Sequence, residues 1–305
     1  MMQSVNFVVL GDQSIAGEFG KKGTATDLTL YDRKESDTIR TWVAPNGFPE
    51  KIQPLFQAIN LAEYPIIYLT SLDKFAGEQM IALDVLRKRE GILSHSYDVD
   101  EGRLNSMIKG TVLERYKKVS SEKIKEEANK FKPISTEGKT KIIIDHCFDV
   151  KGAGTVVLGK VASGIAKQYQ TLKLLPSGIE VIIKSIQMHD DPVTEAVCPA
   201  RVGLSLKGVR HEDVSRGDIL FEDNSLPVTK EIELDFKKNP FYKGGFSENQ
   251  MCLVNIGLQI KAAKFISTDP VRLVLDKPAV YSKSDMAVIL KPESNTIRIL
   301  GSGTI

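Results

Sequence analysis

The stretch from residue 142 to residue 221 constrains the fold most, because its short β-rich segments leave no room for helices. Gly152 and Gly154 mark a tight corner, and the turn Pro176-Ser177-Gly178 separates two segments in which apolar and polar residues alternate. Such alternation around a turn is typical of a β-hairpin. Six segments have the composition of strands: residues 141–150, 154–161, 172–175, 179–186, 200–206 and 219–221. This density of short strands predicts a small closed antiparallel barrel.

The first part of the chain has a different pattern, in which continuous apolar runs alternate with amphipathic segments. Residues 5–10 form an apolar run that ends at Gly11, as expected of a buried parallel strand. Further strands are predicted at residues 27–31, 38–43, 65–69 and 92–93. Helices are predicted at residues 54–61, 79–89, 104–112 and 122–131. The alternation predicts a doubly wound α/β domain.

Strand patterns return after residue 230 and predict a second barrel. Its strands are predicted at residues 232–236, 250–256, 258–265, 271–275, 286–290 and 297–300. Polar stretches that contain proline, at residues 133–139 and 222–229, predict the two domain boundaries. The predicted fold class is therefore α/β plus all-β. We expect an α/β domain in residues 1–136 and antiparallel β-barrels in residues 137–227 and 228–305.

Five motifs of the first predicted barrel follow one another in a regular order. They are DVKGAGTVVLG at 149–159, LLPSG at 174–178, SIQMH at 185–189, RVGL at 201–204 and RGDIL at 216–220. Their order and spacing resemble the second domain of the EF-Tu and SelB elongation factor family. The motifs VRLVLDKP at 271–278 and RILGSG at 298–303 resemble the third domain of SelB-type factors. The resemblance implies a GTPase-like first domain and a barrel that holds the acceptor end of an aminoacyl-tRNA.

The phosphate-binding loop of a GTPase is degenerate in this sequence. A G-x-x-x-x-G-K-[ST] loop that begins at Gly11 would place Ala16 at the second glycine. It would also place Gly17 at the lysine and Glu18 at the hydroxyl that binds magnesium. A carboxylate at that position would repel a triphosphate. The resemblance therefore implies a degenerate P-loop GTPase-like fold, and the loop residues predict that it lacks the usual phosphate chemistry.

The other nucleotide-binding motifs of the family have also lost most of their characteristic residues in this sequence. Its Asp-x-Pro-Gly-His motif corresponds to VAPNG at 43–47, and its Asn-Lys-x-Asp motif retains only the carboxylate of Asp98. The resemblance therefore implies a degenerate nucleotide site at Gly11, Gly17 and Asp98. The losses are similar to those of archaeal SelB-like paralogues with degenerate GTP-binding motifs, the pyrrolysine elongation factor-like group. GTP or GDP is expected as a cofactor only if this divergent site still binds it.

Composition excludes several other classes of function. A net charge of +2 in 305 residues argues against a broadly basic nucleic-acid binder but allows a local basic patch. Cys147, Cys198 and Cys252 are far apart and lack metal-ligand spacing, so we expect neither disulfides nor zinc. No apolar run reaches the length of a membrane span or signal peptide, which predicts a cytoplasmic protein. No catalytic residue, metal, membrane contact or small-molecule substrate is expected.

Basic residues of the first barrel are the first candidates for RNA contacts. By the resemblance, His189, Arg210 and His211 flank strands that border the pocket for the amino acid and the terminal adenosine. An imidazole or guanidinium group can stack on an adenine or pair with a charged group. The alternative for each of these residues is an exposed turn without a ligand.

A predicted loop of the second barrel supplies the other candidates. Lys237, Lys238 and Lys243 lie near Phe241 and Tyr242 in sequence. Such a loop could bind phosphates and stack on a base. The favoured alternative is a hairpin end in which Phe241 packs against the barrel.

Three hypotheses for the function follow. The first is a translation factor paralogue that binds tRNA or the ribosome without normal GTP hydrolysis. The second is a divergent translation GTPase that uses Lys21 or Lys22 with Asp98. The third is a protein-binding module that associates with the ribosome.

Overall fold

The computed structural model describes residues 2–283 and 285–305 and confirms the predicted fold class. The first domain contains one sheet with the strand order β2-β3-β4-β1-β5-β6-β7. Strands β4, β1, β5, β6 and β7 are parallel, whereas β2 and β3 extend the sheet as antiparallel strands. The strands are β1 (Gln3–Gly11), β2 (Lys21–Ala25), β3 (Thr29–Glu35), β4 (Thr38–Ala44), β5 (Tyr64–Leu69), β6 (Ile92–His95) and β7 (Lys117–Lys118).

The central strand β1 is buried on both faces, as its continuous apolar sequence predicts. Strand β2 was not predicted, because its sequence KKGTA has no apolar face and it is held only by pairing with β3 at the sheet edge. The predicted strand at residues 27–31 begins two residues later and continues to Glu35, through charged residues that a sheet edge tolerates.

Five α-helices accompany the sheet within the described residues. Helix α3 was predicted at residues 79–89 but begins earlier, because the Asp73 carboxylate accepts a hydrogen bond of 2.8 Å from the Ala76 N–H. It ends before Arg87, which has a positive φ of 54°. The helices are α1 (Ala16–Phe19), α2 (Gln53–Leu61), α3 (Lys74–Val85), α4 (Glu101–Ile108) and α5 (Ile124–Ala128).

The first barrel closes through six strands in the order β11-β16-β8-β9-β15-β12, with β12 pairing back to β11. Strand β13 forms a hairpin with β12, and β10 pairs with β14 in a separate ribbon. The strands are β8 (Lys141–Val150), β9 (Gly154–Ser163), β10 (Ile165–Lys167), β11 (Thr171–Leu175), β12 (Ile179–Met188), β13 (Asp191–Val193), β14 (Glu195–Val197), β15 (Arg201–Lys207) and β16 (Ile219–Phe221).

The second barrel is also closed by six strands, in the order β17-β20-β19-β18-β21-β22. Residues 239–250 between its first two strands form an irregular loop, in which Tyr242 and Phe246 pack into the barrel core. The strands are β17 (Val228–Lys238), β18 (Met251–Ile256), β19 (Gln259–Thr268), β20 (Val271–Val280), β21 (Met286–Leu290) and β22 (Ile299–Thr304).

The three domains pack against one another through buried surfaces. Leu258, Val288, Leu290 and Ile299 of the second barrel belong to the same apolar cluster as the helices α2 and α3 of the first domain. Among the described residues, five ion pairs cross between domains: Arg298–Glu78, Lys160–Glu63, Arg216–Asp27, Lys34–Asp191 and Lys141–Asp285. Among the described residues, no helix is long and apolar enough to cross a membrane.

Candidate functional site

Backbone N–H groups of the loop after β1 donate their hydrogen bonds to acceptors of the protein itself. The Gly11 N–H donates to Gln79 Oε1 at 2.7 Å, and the Asp12 N–H donates to the Tyr68 carbonyl at 2.8 Å. The Ser14 N–H donates to the Asp12 carboxylate at 3.0 Å, and the N–H of Ala16 donates to carbonyls of the preceding turn. A phosphate cradle needs such N–H groups to be free to point at the ligand. Four of them are already satisfied in this loop.

Helix α1, which follows this loop, has only four residues. Its buried residues Ala16 and Phe19 pack in the cluster around Trp42, with 5.7 Å between the Phe19 and Trp42 ring centroids. Gly17 and Glu18 are exposed on the other side of α1. The single turn provides little of the dipole that a long helix directs at a phosphate. Glu18 instead adds a negative charge.

No hydrogen bond or ion pair within the described residues connects the predicted nucleotide-binding residues Gly11, Gly17 and Asp98 to one another. Gly11 and Gly17 lie in the β1–α1 segment, whereas Asp98 is exposed in the loop after β6. In that loop Asp100 has the structural role, because its carboxylate accepts a hydrogen bond of 2.8 Å from the Arg103 N–H at the start of α4. Within residues 2–283 and 285–305, no group of three or more His, Cys, Asp and Glu side chains has the arrangement of a metal site.

The β8–β9 hairpin of the first barrel has an exposed apolar face. Phe148 and Val156 are directly opposite each other in the two strands, so their side chains share one face. Phe148 is 40% exposed and Val150 is 39% exposed, and Leu158 continues this face along β9. Gly203 lies opposite Leu158 on β15, where an added Cβ atom would meet the Leu158 side chain at an ordinary contact distance of 3.5 Å. We call Phe148, Val150, Val156 and Leu158 the apolar strip.

The other face of the same hairpin borders a basic cleft of about 640 Å³. Asp149 and Thr155 line it because adjacent residues of a strand point to opposite faces. The basic groups that line it are Lys184, Lys207, Arg210 and His211. The structure therefore brings Arg210 and His211, two of the predicted RNA contacts, into one cleft.

Several of these basic groups already have partners. Arg210 pairs with Glu212 at 2.6 Å and with Asp213 at 3.2 Å, and His211 Nδ1 lies 2.7 Å from the Asp149 carboxylate. Lys207 is exposed and makes no ion pair with any residue that the structure describes. These pairs are exposed, so an incoming anion can compete with them at small energetic cost.

His189 lies apart from the basic cleft. It is in the β12–β13 turn with a positive φ of 51°, and it is exposed. The residues just before this turn pair with the beginning of β15, at Gly203. Arg210 follows the end of β15, so the two residues are at opposite ends of that strand. Asp191, beside the turn, forms an ion pair with Lys34 of the first domain. The structure therefore places His189 near the first domain and not with Arg210 and His211.

The predicted lysines of the second barrel flank an exposed aromatic residue, Phe241, in sequence. Lys237 and Lys238 end β17, and Lys243 follows in the loop. Tyr242, not Phe241, packs into the barrel, so the favoured prediction for this loop was wrong about which aromatic residue is buried. Phe241 is 57% exposed, because the Asn239 side chain accepts a hydrogen bond from its N–H and fixes the turn.

A buried polar cluster joins the apolar strip to the first domain. The Asp145 carboxylate is fully buried and bonds to Arg201 and to His146 Nδ1, the latter at 2.7 Å. Burial alone would raise the pKa of the Asp145 carboxyl, but the charge of Arg201 and the hydrogen bonds from His146 and Arg201 lower this pKa to about 2. Arg216 Nη1 contacts both Asp27 oxygens at 2.7 and 2.9 Å. The hairpin is thereby fixed against the β2–β3 loop.

Comparison with known proteins agrees with this architecture. Residues 154–221 match the family model described as elongation factor Tu domain 2. The "Uncharacterized protein MJ0325" of Methanocaldococcus jannaschii is 32% identical over 299 residues, covering 96% of each chain. The selenocysteine-specific elongation factor of the same organism is 37% identical over 127 residues, which are 41% of this chain and 27% of that factor.

The chain belongs to one family with MJ0325, and it resembles the SelB/EF-Tu-like elongation factors in the matched regions. Its relationship to MJ0325 extends over nearly the whole of both chains. The crystal structure of translation elongation factor SelB from Methanococcus maripaludis, in complex with the GTP analogue GppNHp, superposes with a TM-score of 0.82 at 22% identity. That superposition covers 100% of this chain and 79% of the SelB chain. This SelB/EF-Tu-like protein therefore has all three domains of the shared fold.

Sequence reasoning missed three features of this SelB/EF-Tu-like protein. Val156 lies within a matched motif and Phe148 directly precedes it. The signal for their exposure is that the two hairpin strands, with ten residues each, are longer than the flanking barrel strands β15 and β16. Gln79 gave no signal, because it reaches Gly11 across 68 positions of sequence. Arg216 was recognised only as a turn residue, although its partner Asp27 is 189 positions away.

Proposed function

We propose that this protein binds the acceptor end of a tRNA or aminoacyl-tRNA, in the cytoplasm or on the ribosome, without a guanine-nucleotide switch. The apolar strip offers Phe148 and its neighbours for stacking on an unpaired base. The basic cleft on the other face of the hairpin offers Lys184, Lys207 and Arg210 to the phosphates. The observation that carries the proposal is that one face of this hairpin exposes the apolar strip while its other face borders the basic cleft.

The loop after β1 supports the absence of a switch. A bound triphosphate would have to displace Gln79 from Gly11 and face Asp12 and Glu18. Without contacts to a γ-phosphate, nucleotide hydrolysis has no segment to order or release. We infer that the protein is one of the SelB-like paralogues with degenerate nucleotide motifs and presents its two barrels in a fixed arrangement.

The second barrel supplies a second proposed RNA contact. Phe241 is exposed between Lys238 and Lys243, and neither lysine makes an ion pair within the described part of the chain. An exposed aromatic ring between free cations suits a nucleotide whose base stacks and whose phosphate pairs with an ammonium group. This surface would bind a part of the RNA beyond its acceptor end.

The direct test is fluorescence anisotropy of labelled tRNA over a range of salt concentrations. We expect salt-dependent binding that is tighter for aminoacylated tRNA than for duplex DNA. Phe148→Ser should weaken tRNA binding about tenfold, since stacking on one base contributes roughly 1–3 kcal/mol. Tyr169→Ser is the matched control, because Tyr169 is 73% exposed on the same barrel but lines a different groove. Equal losses for the two variants, or equal affinity for tRNA and DNA, would remove the proposed site.

Titration with fluorescent GDP and Mg²⁺ tests the other half of the proposal. We expect no saturable binding in the micromolar range. Micromolar binding that Asp98→Ala abolishes would support the divergent GTPase instead. A stoichiometric protein partner together with no tRNA affinity would support the protein-binding module.

A further inference from the structure

Two arginines of the first domain lie directly opposite each other on neighbouring strands. Arg33 on β3 pairs in register with Arg40 on β4, so both side chains are on the same face of the sheet. Their side chains are only 16% and 11% exposed. The Arg33 guanidinium lies over the Trp42 ring, 5.1 Å from its centroid. Like charges in this position destabilise a strand pair unless an anion lies between them.

A single carboxylate serves both guanidinium groups. Glu35 Oε1 lies 3.1 Å from Arg33 Nε, and Glu35 Oε2 lies 3.4 Å from Arg40 Nη1. The Nη2 atoms of the two arginines donate to the side-chain and main-chain oxygens of Asn129 at 2.7 and 3.0 Å. One negative charge therefore faces two positive charges.

The hydrogen-bonding capacity of the pair is not filled. Arg33 Nε, Arg33 Nη1 and Arg40 Nε are buried and have no hydrogen-bond partner within residues 2–283 and 285–305. The contact between Arg33 Nε and Glu35 is thus an ion pair without the alignment of a hydrogen bond. Buried donors are seldom left unpaired, because each unpaired donor costs about 1–3 kcal/mol. Burial and the charge of Arg33 also lower the pKa of Arg40.

We propose that Arg33 and Arg40 form a binding site for a phosphate group, which Glu35 occupies as an internal carboxylate until the phosphate displaces it. Glu35 is suited to leave, because 48% of its side chain is exposed. A phosphate has more acceptor oxygens than a carboxylate and can pair with both guanidinium forks at once. The site belongs to the first domain and does not depend on the RNA contacts proposed for the barrels.

The proposal predicts that one substitution increases the affinity for phosphate, and the direction of that change tests it. Glu35→Gln removes the competing charge, so it should tighten the binding of inorganic phosphate, measured by calorimetry, by at least about fivefold. Glu180→Gln is the matched control, because it removes an exposed carboxylate that pairs with Lys173 at 3.0 Å and changes the net charge equally. If both variants bind phosphate no better than the unmodified protein, the site does not exist.

A further double variant separates the site from a general effect of charge. Arg40→Lys in the Glu35→Gln background keeps the charge and loses the guanidinium fork, so the gain in phosphate affinity should disappear while the thermal transition remains. An unchanged gain in the Arg40→Lys variant would overturn the assignment.

The same variants identify the source of the phosphate. If the group belongs to RNA, Glu35→Gln should also tighten tRNA binding and steepen its salt dependence by about one phosphate contact. If tRNA binding is unchanged while phosphate binding improves, the ligand is a free phosphate or phosphate ester. Loss of tRNA binding in Phe148→Ser reports on the barrel alone, so the two proposals can fail separately.

Discussion

Arg298 and Glu78 show how single residues hold the first domain to the second barrel. Glu78 is fully buried and the Arg298 side chain is 7% exposed. The guanidinium donates to both Glu78 oxygens at 2.6–3.1 Å and to the Pro49 carbonyl at 2.8 Å. Such a pair offsets its large desolvation cost only when its hydrogen bonds are satisfied, as they are here. Removing one partner therefore costs more than the pair contributes.

We expect Arg298→Ala to lower the free energy of unfolding by about 3–5 kcal/mol, because it leaves Glu78 buried without a counter-charge. Arg210→Ala is the control, since Arg210 also pairs with carboxylates but is 73% exposed, so its loss should change the free energy of unfolding little. Urea unfolding measures both. The double variant Glu78→Gln with Arg298→Met should recover much of the loss, and no recovery would contradict this account.

Asp145 makes the free energy of unfolding depend on pH in the acidic range. Its folded pKa of about 2 is lower than the ordinary value of 3.8, so its contribution is present above pH 4 and is lost as the pH falls toward 2. The contribution is on the order of 2 kcal/mol. Asp145→Asn should flatten the fall in unfolding free energy over this range, whereas Asp98→Asn, which changes an exposed carboxylate, should not. Parallel acid-unfolding curves for Asp145→Asn and the unmodified protein would exclude this role.

At the scale of elements, Gly11 in the β1–α1 segment has a structural role that does not depend on a bound nucleotide. Gly11 has a positive φ of 75°, and a Cβ atom built on it would lie 1.9 Å from the Tyr68 carbonyl oxygen. The glycine is thus required by the close approach of β1 to β5, whether or not a nucleotide binds. A glycine that matches a nucleotide motif in sequence therefore has a structural reason of its own here.

We expect Gly11→Ala to destabilise the protein by about 3 kcal/mol or more through strain and steric overlap. Gly77→Ala is the matched control in helix α3, where no atom lies within 4 Å of the added Cβ. It should stabilise the protein by about 0.5–1 kcal/mol, the usual gain for alanine in a helix. Calorimetric melting compares the two. A Gly11→Ala variant as stable as the unmodified protein would show that the loop can relax.

At the scale of the whole molecule, the first domain and the second barrel share one apolar cluster. Ion pairs join each of them to the first barrel: Lys160–Glu63 and Arg216–Asp27 from the first domain, and Lys141–Asp285 from the second barrel. The contacts continue through polar groups, since Asn60 Nδ2 donates to the Gly257 carbonyl at 2.8 Å. Domains that share a core should unfold together and keep one relative orientation.

We therefore expect one cooperative thermal transition and a small-angle scattering curve that GppNHp and Mg²⁺ do not change. The lack of change follows from the proposed loss of the switch, while the single transition follows from the shared core. Arg298→Ala should separate the transition into two or more steps, and Arg210→Ala should not. A scattering curve that changes with GppNHp would reveal a working switch.

The predictions from sequence succeeded where local pattern and burial agree. The buried strand β1, the two barrels and their six-strand closures follow from apolar runs and alternation. Strand β2 and the start of α3 were missed, since they depend on edge pairing and on the Asp73 cap. The proposed site could be predicted only in part: Arg210 and His211 share the basic cleft, whereas His189 is at the other end of β15.

The sequence alone determined the fold class and the resemblance to SelB/EF-Tu-like factors, because these depend on periodicity and on motifs that are contiguous in the chain. Only the tertiary structure decided which side chains meet. Gln79 reaches Gly11, Arg298 reaches Glu78 across 220 positions, and Arg33 faces Arg40 with one carboxylate between them. Such contacts depend on the register of strands and the packing of domains, which no local stretch of sequence encodes.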